Sequence, residues 1–227
     1  MTVNIHIGSV PERLGQAVYD ASQQAIRERG QFSVAISGGS LPKLLAAGLK
    51  SYDVDVGKWN VFLADERVVP LDHDDSNYRE IRFRIPSLPV IPIDPSLSSD
   101  ECASEYTTKL VEKLGESPKF DMLLLGLGPD GHTCSLFPGH SLLQEKTKLV
   151  APITDSPKPP PTRVTLTYPV LNAARAAVFV VTGASKADVV LDIIENEEST
   201  FPGALVKLSE GTVDWLFDEA AASKLSK

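Results

Sequence analysis

The sequence predicts an α/β fold: an open, mostly parallel twisted sheet of Rossmann type with helices on both faces. Short β-branched apolar runs alternate along the chain with stretches of helical spacing. One run, residues 120–128, is apolar almost throughout and ends in glycines, as is typical of a central strand covered on both faces. We expect one catalytic domain over residues 1–227, in which the proline-rich residues 157–161 form a stiff extended connection.

The predicted helices share apolar residues spaced three and four positions apart. Ser40 is placed to cap the second helix, which we expect to begin near Leu41 with Pro42 in its first turn. The other helices are expected at residues 12–29, 77–83, 102–114, 186–195 and 211–225. The predicted strands are residues 32–37, 59–66, 120–128, 163–167, 176–183 and 204–208. Because ligands of such folds bind beyond the carboxyl ends of the strands, functional residues are expected in the loops there.

The composition disfavours several classes of function. The net charge of −8 argues against a nucleic-acid or anionic-membrane surface, although a few cations in one cleft can still hold a small anion. Two cysteines make no disulfide framework, and neither a signal peptide nor an apolar stretch of bilayer length is present. We expect a cytoplasmic protein with no nucleic-acid or membrane partner, present as a monomer or weak dimer.

Glycine and serine follow the first long strand in the loop Ser37-Gly38-Gly39-Ser40. Glycines there let the backbone approach an anion, and the free N–H groups of the following helix point towards it. The loop has neither the Gly-Lys-Ser/Thr ending of a Walker loop nor a Gly-x-Gly-x-x-Gly fingerprint. Taken alone, it fits an anion site and a tight turn without a ligand equally well.

Charged residues follow the next strand in the triplet Asp65-Glu66-Arg67, near the expected mouth of the crevice. On its own the triplet favours a solvated loop over a ligand site. His73 lies in an acidic stretch without the spacing of a metal ligand, and a solvated loop is again the better interpretation. Since no His-Glu-x-x-His or comparable pattern is present, we expect no metal.

The most informative segment is residues 126–132, where a buried strand runs into glycines, Asp130 and His132. The ordinary pKa of histidine, about 6.5, suits base chemistry at neutral pH, and Asp130 can hold the imidazole in one tautomer or polarise a substrate. The alternative is a capping aspartate and a surface histidine, which position and composition disfavour. Residues 133–137 can begin a helix whose N–H groups face an oxyanion.

Other candidate groups are a thiol and two cations. Nothing marks Cys134 as a low-pKa nucleophile, so a small buried residue is the better interpretation, and no Gly-x-Ser-x-Gly elbow is present. Arg163 precedes a strand, and Lys186 follows one at a helix start, where the helix dipole disfavours a cation. An anionic ligand shared with the Ser37–Ser40 loop would remove that conflict, whereas two surface charges are the alternative.

Five segments occur together and in order: ISGGSLPKLL, WNVFLADERVVPLDHDDSNYRE, FDMLLLGLGPDGHTCSLFPGH, RVTLTYPVLNAA and VTGASKADVV. This set resembles the glucosamine-6-phosphate isomerase/6-phosphogluconolactonase family and, within it, the lactonases; GTVDWLFDEAAASKL also resembles the family's closing helix. The resemblance implies a sheet like that of glucosamine-6-phosphate deaminases and ribose-5-phosphate isomerases. It implies hydrolysis of 6-phospho-D-glucono-1,5-lactone in the pentose phosphate pathway, with no cofactor and with the phosphorylated lactone as the small-molecule partner.

The resemblance also implies residue roles. The Ser37–Ser40 loop, Arg163 and Lys186 would hold the phosphate. His132 would be the base that activates water, supported by Asp130. Asp65 and Arg67 would lie near the lactone or its phosphate.

Two alternative functions remain. In the deaminases of this family, the similar Asp-Gly-His segment is followed, five residues after the histidine, by a glutamate. This chain has Phe137 at that position. The deaminases also have Asp-Glu-Tyr where this chain has Asp65-Glu66-Arg67. Both departures favour lactone hydrolysis, because a phenyl ring can neither accept a proton nor orient an imidazole. The second alternative is a non-catalytic sugar-phosphate sensor, which the intact Asp130-Gly-His132 segment disfavours.

Overall fold

The computed structural model of the chain describes residues 1–226. Its strands are β1 (Thr2–Ile7), β2 (Phe32–Ile36), β3 (Trp59–Leu63), β4 (Asp65–Arg67), β5 (Met122–Gly126), β6 (Val150–Ile153), β7 (Arg163–Leu166), β8 (Ala176–Val181) and β9 (Thr212–Phe217). Its α-helices are α1 (Val10–Arg29), α2 (Leu41–Leu49), α3 (Asn77–Arg84), α4 (Ser99–Leu114), α5 (Tyr168–Leu171) and α6 (Ala187–Glu195).

Six of the strands form a parallel sheet in the order β1-β9-β8-β5-β2-β3, which confirms the predicted fold class. The connections from β1 to β2 and from β2 to β3 step one way across this sheet, and those from β3 through β5 and β8 to β9 step back. Since such crossovers are right-handed, α1 and α2 lie on one face and α4 and α6 on the other. Burial of consecutive residues in β2 and β5 agrees with a sheet covered on both sides.

The remaining three strands form a small antiparallel sheet in the order β4-β7-β6. The prediction of one continuous strand over residues 59–66 is therefore wrong, because the chain leaves the central sheet after Leu63. Ala64 connects the two sheets: its N–H donates to the carbonyl of Ile36, and its own carbonyl accepts from the N–H of Leu166. Residues 163–167, predicted as a strand, belong to this second sheet.

Two expectations in the C-terminal part of the chain are wrong, and two strands were not predicted. Residues 211–225 do not form a helix, because Thr212–Phe217 is strand β9, hydrogen-bonded on both sides by β1 and β8. Its β-branched and aromatic residues fit a pleated surface better than a helix. The predicted strand at residues 204–208 is also wrong, and Pro202–Leu205 is a 3-10 turn. Strands β1 and β6 were not predicted.

Helices α1 and α2 touch through two glycines, Gly15 and Gly48. A Cβ on Gly48 would overlap the carbonyl oxygen of Pro11, and one on Gly15 would overlap the carbonyl of Gly48. We expect Gly48→Ala to lower the free energy of unfolding by about 1–3 kcal/mol, despite the better helix propensity of alanine, because the helices must separate. Urea denaturation measures this change.

Gly57→Ala is the matched control, because Gly57 is exposed and a Cβ there would have its nearest neighbour at 3.4 Å. An unfolding free energy of Gly48→Ala equal to that of the control would contradict the close helix contact. The contact matters for function because α2 begins directly after the Ser37–Ser40 loop.

Candidate active site

A cleft of about 200 Å³ opens at the carboxyl ends of β2, β5 and β8, where the fold predicts a ligand. Every predicted site residue except Asp130 lines it. Those residues are Ser37, Gly38, Gly39, Ser40, Asp65, Arg67, His132, Arg163 and Lys186. Asp130 is not among the lining residues and contacts His132 instead. The structure therefore brings together groups that are up to 149 positions apart in the sequence, from Ser37 to Lys186.

The Ser37–Ser40 loop forms the floor of this cleft before α2. Gly38 packs so closely on the Asn77 side chain that a Cβ would overlap its amide, and Gly39 has the left-handed φ of 71° that favours glycine. The expectation that the Ser40 hydroxyl caps α2 is wrong: Ser40 has helical dihedral angles and makes no capping hydrogen bond. The first N–H groups of α2 therefore donate no hydrogen bond to the Ser40 hydroxyl, and they are suited to binding an anion.

The triplet of β4 is not a solvated loop. The Glu66 carboxylate is buried and accepts hydrogen bonds from the N–H groups of Asn77 and Tyr78, both at 2.8 Å, at the start of α3. Burial raises the pKa of Glu66, and these backbone hydrogen bonds oppose the rise. Asp65 is also buried and accepts from the Ser135 hydroxyl at 2.8 Å. Glu66 therefore anchors α3, whereas Asp65 faces the cleft.

Three cationic side chains line the cleft, and they differ in how strongly hydrogen bonds restrain them. Arg67 donates to the carbonyl of Asp75 at 2.6 Å, and its buried Nε has no partner in residues 1–226. Arg163 is only 3% exposed. Its guanidinium donates to the carbonyls of Pro160 and Lys158, each at 2.9 Å. The proline-rich connection at residues 157–161 is therefore a strap that fixes Arg163.

Lys186 is the least restrained of these cations. It lies at the start of α6, as predicted, and is half-buried. Its ammonium makes no ion pair among residues 1–226. Burial lowers the pKa of Lys186, an effect that the charge of Asp218 opposes. A half-buried, unpaired cation at a helix start is unfavourable without an anion, so the cleft is suited to one.

His132 and Asp130 form a close pair, with His132 Nδ1 2.5 Å from Asp130 Oδ1. Gly128 makes this possible, because a Cβ there would overlap both side chains. Phe137 stacks on the imidazole, with ring centroids 4.8 Å apart. Burial lowers the pKa of His132, and Asp130 only partly offsets this. The lowered pKa favours the neutral imidazole, and in the tautomer that donates from Nδ1 to Asp130 the other ring nitrogen, Nε2, can accept a proton.

The residues after His132 differ from the expectation. Residues 133–137 form a tight turn instead of a helix, with hydrogen bonds in both directions between the backbones of Thr133 and Leu136. Cys134 has a φ of 51° in this turn, which an α-helix does not allow. Burial raises the pKa of the Cys134 thiol, as expected of a small buried residue and not of a nucleophile. No helix N-terminus is available here for an oxyanion.

Lys158 is not among the predicted site residues, yet its Nζ lies 3.0 Å from Asp130 Oδ1. A single lysine within a run of prolines, five residues before Arg163, was the available signal. Among residues 1–226 no group of three or more histidine, cysteine or carboxylate side chains is arranged to hold a metal ion. No helix in that range is long and apolar enough to cross a membrane.

A histidine–aspartate pair and several cations around a glycine-rich loop, at the carboxyl ends of parallel strands, are typical of an α/β enzyme for an anionic small molecule. The chain belongs to the family described as glucosamine-6-phosphate isomerases/6-phosphogluconolactonase, whose model matches residues 8–215.

The similarity to individual relatives covers nearly the whole chain. The chain is 46% identical to the 6-phosphogluconolactonase of Rattus norvegicus, over 98% of this chain and 93% of the relative. The human 6-phosphogluconolactonase is 50% identical, over 87% of this chain and 82% of the relative. The structure of 6-phosphogluconolactonase from Trypanosoma cruzi superposes with a TM-score of 0.87 at 28% identity, covering 100% of this chain and 99% of that one.

His132 should be distinguishable from the other histidines by NMR titration. We expect its pKa to lie below the ordinary value of about 6.5, with Nδ1 protonated in the neutral form, because burial disfavours the imidazolium and Asp130 accepts from Nδ1. Long-range ¹H–¹⁵N spectra report both the pKa and the tautomer. A His132 pKa at or above the ordinary value of about 6.5, or an Nε2–H tautomer, would contradict this assignment.

Proposed function

We propose that this chain hydrolyses 6-phospho-D-glucono-1,5-lactone to 6-phosphogluconate in the pentose phosphate pathway, using His132 as general base and no metal or cofactor. The observation that carries the proposal is the His132–Asp130 pair, which leaves a neutral Nε2 at the edge of a cleft lined by cations. The names of the relatives that match nearly the whole chain support the same reaction.

In the proposed mechanism, water attacks the lactone carbonyl directly. His132 Nε2 takes a proton from the water as its oxygen adds to C1, and Asp130 stabilises the imidazolium through Nδ1–H. The carbonyl oxygen becomes an oxyanion, and the guanidinium of Arg67, which lines the cleft, is the proposed source of stabilising positive charge. The bond from C1 to the ring oxygen then breaks, and the imidazolium returns its proton to that oxygen. The product is a carboxylic acid, which ionises, and a free hydroxyl.

The phosphate is held away from the reacting carbon. The open N–H groups at the start of α2 and the ammonium of Lys186 are suited to its oxygens. Arg163 adds a positive charge held in place by hydrogen bonds to backbone carbonyls, and it makes no ion pair within 4.0 Å among residues 1–226. Binding energy from the phosphate then orients the lactone ring against His132.

Deamination of an amino sugar phosphate is the competing reaction in this family. It would need a carboxylate beside the histidine where Phe137 lies. The Phe137 ring instead packs on the imidazole at an interplanar angle of 29°, so it excludes such a carboxylate from that side.

Further properties are also proposed. The chain forms one catalytic domain and acts in the cytoplasm as a monomer or weak dimer, without nucleic acid as a partner. One hydrophobic cluster contains residues of both sheets, which supports the single domain. The net charge of −8 supports the absence of a nucleic-acid partner.

The reaction is tested with freshly prepared 6-phosphogluconolactone in an acid-release assay. We expect His132→Ala to keep the fold and lose turnover by about 10²- to 10⁴-fold, because general-base assistance is lost. Glucosamine 6-phosphate, offered to the same wild-type enzyme, should release no ammonia. Ammonia release, or a His132→Ala rate above half the wild-type rate after subtraction of spontaneous opening, would contradict the proposal.

Lys186 tests the phosphate anchor. Lys186→Ala should lower kcat/KM for the phosphorylated lactone by about 10- to 150-fold, the effect of one charge-assisted contact. Hydrolysis of unphosphorylated gluconolactone should change little, since it never used the anchor. Arg163→Ala is a weaker test, because removing its guanidinium also releases the strap.

The control is Lys146→Ala, which removes an exposed lysine outside the cleft. If Lys186→Ala slows both lactones equally, Lys186 takes part in the chemistry or the fold and not in phosphate binding. If it slows neither, the phosphate lies elsewhere in the cleft.

A further inference from the structure

A lysine lies beside the catalytic pair and outside the cleft. Lys158 Nζ is 3.0 Å from Asp130 Oδ1 and 3.2 Å from His132 Nδ1. Neither Lys158 nor Asp130 lines the cleft, whereas His132 does. The ammonium therefore approaches the imidazole from the side away from the substrate, and it is held there by the strap whose carbonyls bind Arg163.

The hydrogen-bond donors and acceptors at His132, Asp130 and Lys158 limit how the lysine can interact with the imidazole. In the tautomer that the proposed base requires, His132 Nδ1 carries a proton that it donates to Asp130, so Nδ1 has no lone pair to accept from Lys158. Asp130 Oδ1 must then accept from both donors, the imidazole and the ammonium. The 3.2 Å approach of Lys158 to Nδ1 is consequently a contact between two positive groups whenever the imidazole is protonated.

We propose that Lys158 is a positioning residue, which shares the Asp130 carboxylate with His132 and keeps the imidazole in its neutral, proton-accepting form. This inference rests on the proposed role of His132 as the base. A carboxylate alone would fix the tautomer but would also favour the imidazolium, which is useless as a base. The added ammonium keeps the orientation and removes much of that unwanted stabilisation.

The other groups around His132 fit this assignment. Asp65 of β4 is the second carboxylate that faces the imidazole, and it favours protonation. Phe137 stacks on the imidazole, and the Arg163 guanidinium carbon lies 5.7 Å from the centroid of that phenyl ring. Lys158 is thus the cation in direct contact with the ring. Burial and the Lys158 charge both lower the pKa of His132, while Asp130 raises it.

The test compares wild type with Lys158→Met and Lys158→Arg. The side-chain change leaves the carbonyl of Lys158 in place to hold Arg163, so the strap should remain. Lys158→Met should raise the His132 pKa, measured by NMR titration, by about one unit. This is the lower end of the range of pKa shifts caused by a charge in contact, because both side chains are partly exposed. The acid limb of kcat/KM should move up by the same amount, and Lys158→Arg should restore it.

The remaining readouts separate this role from others. At pH 7.5, above the limb, KM for the phosphorylated lactone should stay within about twofold of wild type, since Lys158 does not line the cleft. Lys146→Met is the matched control and should move neither value. An unchanged or lower His132 pKa in Lys158→Met overturns the inference. If KM at pH 7.5 also rises strongly in that variant, Lys158 acts in substrate binding instead.

Failure of the proposed function gives a different result. If His132→Ala stays active, His132 is not the base and the reaction mechanism is wrong. The NMR titration of His132 in Lys158→Met still decides whether the lysine controls the imidazole.

Discussion

The geometry of the site depends on two hydrogen bonds at Ala64. Its N–H remains with the central sheet through Ile36, and its carbonyl already belongs to the small antiparallel sheet through Leu166. The chain must therefore turn out of the parallel sheet at the carboxyl end of β3. That turn places β4, and with it β7, across the strand ends where a ligand binds in this fold. Asp65 and Arg67 reach the cleft from β4, and Arg163 reaches it from β7.

Buried polar groups then secure this arrangement. Glu66 is buried between Asp65 and Arg67 and takes the first N–H groups of α3. A carboxylate in that position replaces water for helix N–H groups that would otherwise be unsatisfied. The same triplet thus supplies a structural acid and two cleft residues, because alternate side chains of a strand point to opposite faces. An acidic protein can in this way concentrate Arg67, Arg163 and Lys186 around one anion.

The sequence indicated the central part of the site and misplaced its surroundings. The strand–glycine–acid–histidine order located Asp130 and His132, because a local motif and the strand before it carry that information. Residues 59–66 and 211–225 were misassigned because tertiary hydrogen bonds decide those segments: Ala64 divides the first, and strands on both sides hold Thr212–Phe217 extended. Lys158 was missed because 28 positions separate it from Asp130, and only the folded strap brings them together.

The two charge requirements of the reaction conflict, and the Phe137 ring contacts both of the groups concerned, the imidazole of His132 and the guanidinium of Arg163. Phosphate binding needs strong positive charge in the cleft, whereas a base needs an imidazole that can still receive a proton during turnover. A guanidinium in direct contact with His132 would oppose the imidazolium at the moment it forms. The Phe137 ring stacks on the imidazole, with 4.8 Å between ring centroids, and the Arg163 guanidinium carbon lies 5.7 Å from the centroid of the same phenyl ring. In the proposed mechanism Arg163 contributes positive charge for the phosphate, while Asp130, Asp65, Lys158 and the burial of the ring together act on the proton affinity of His132.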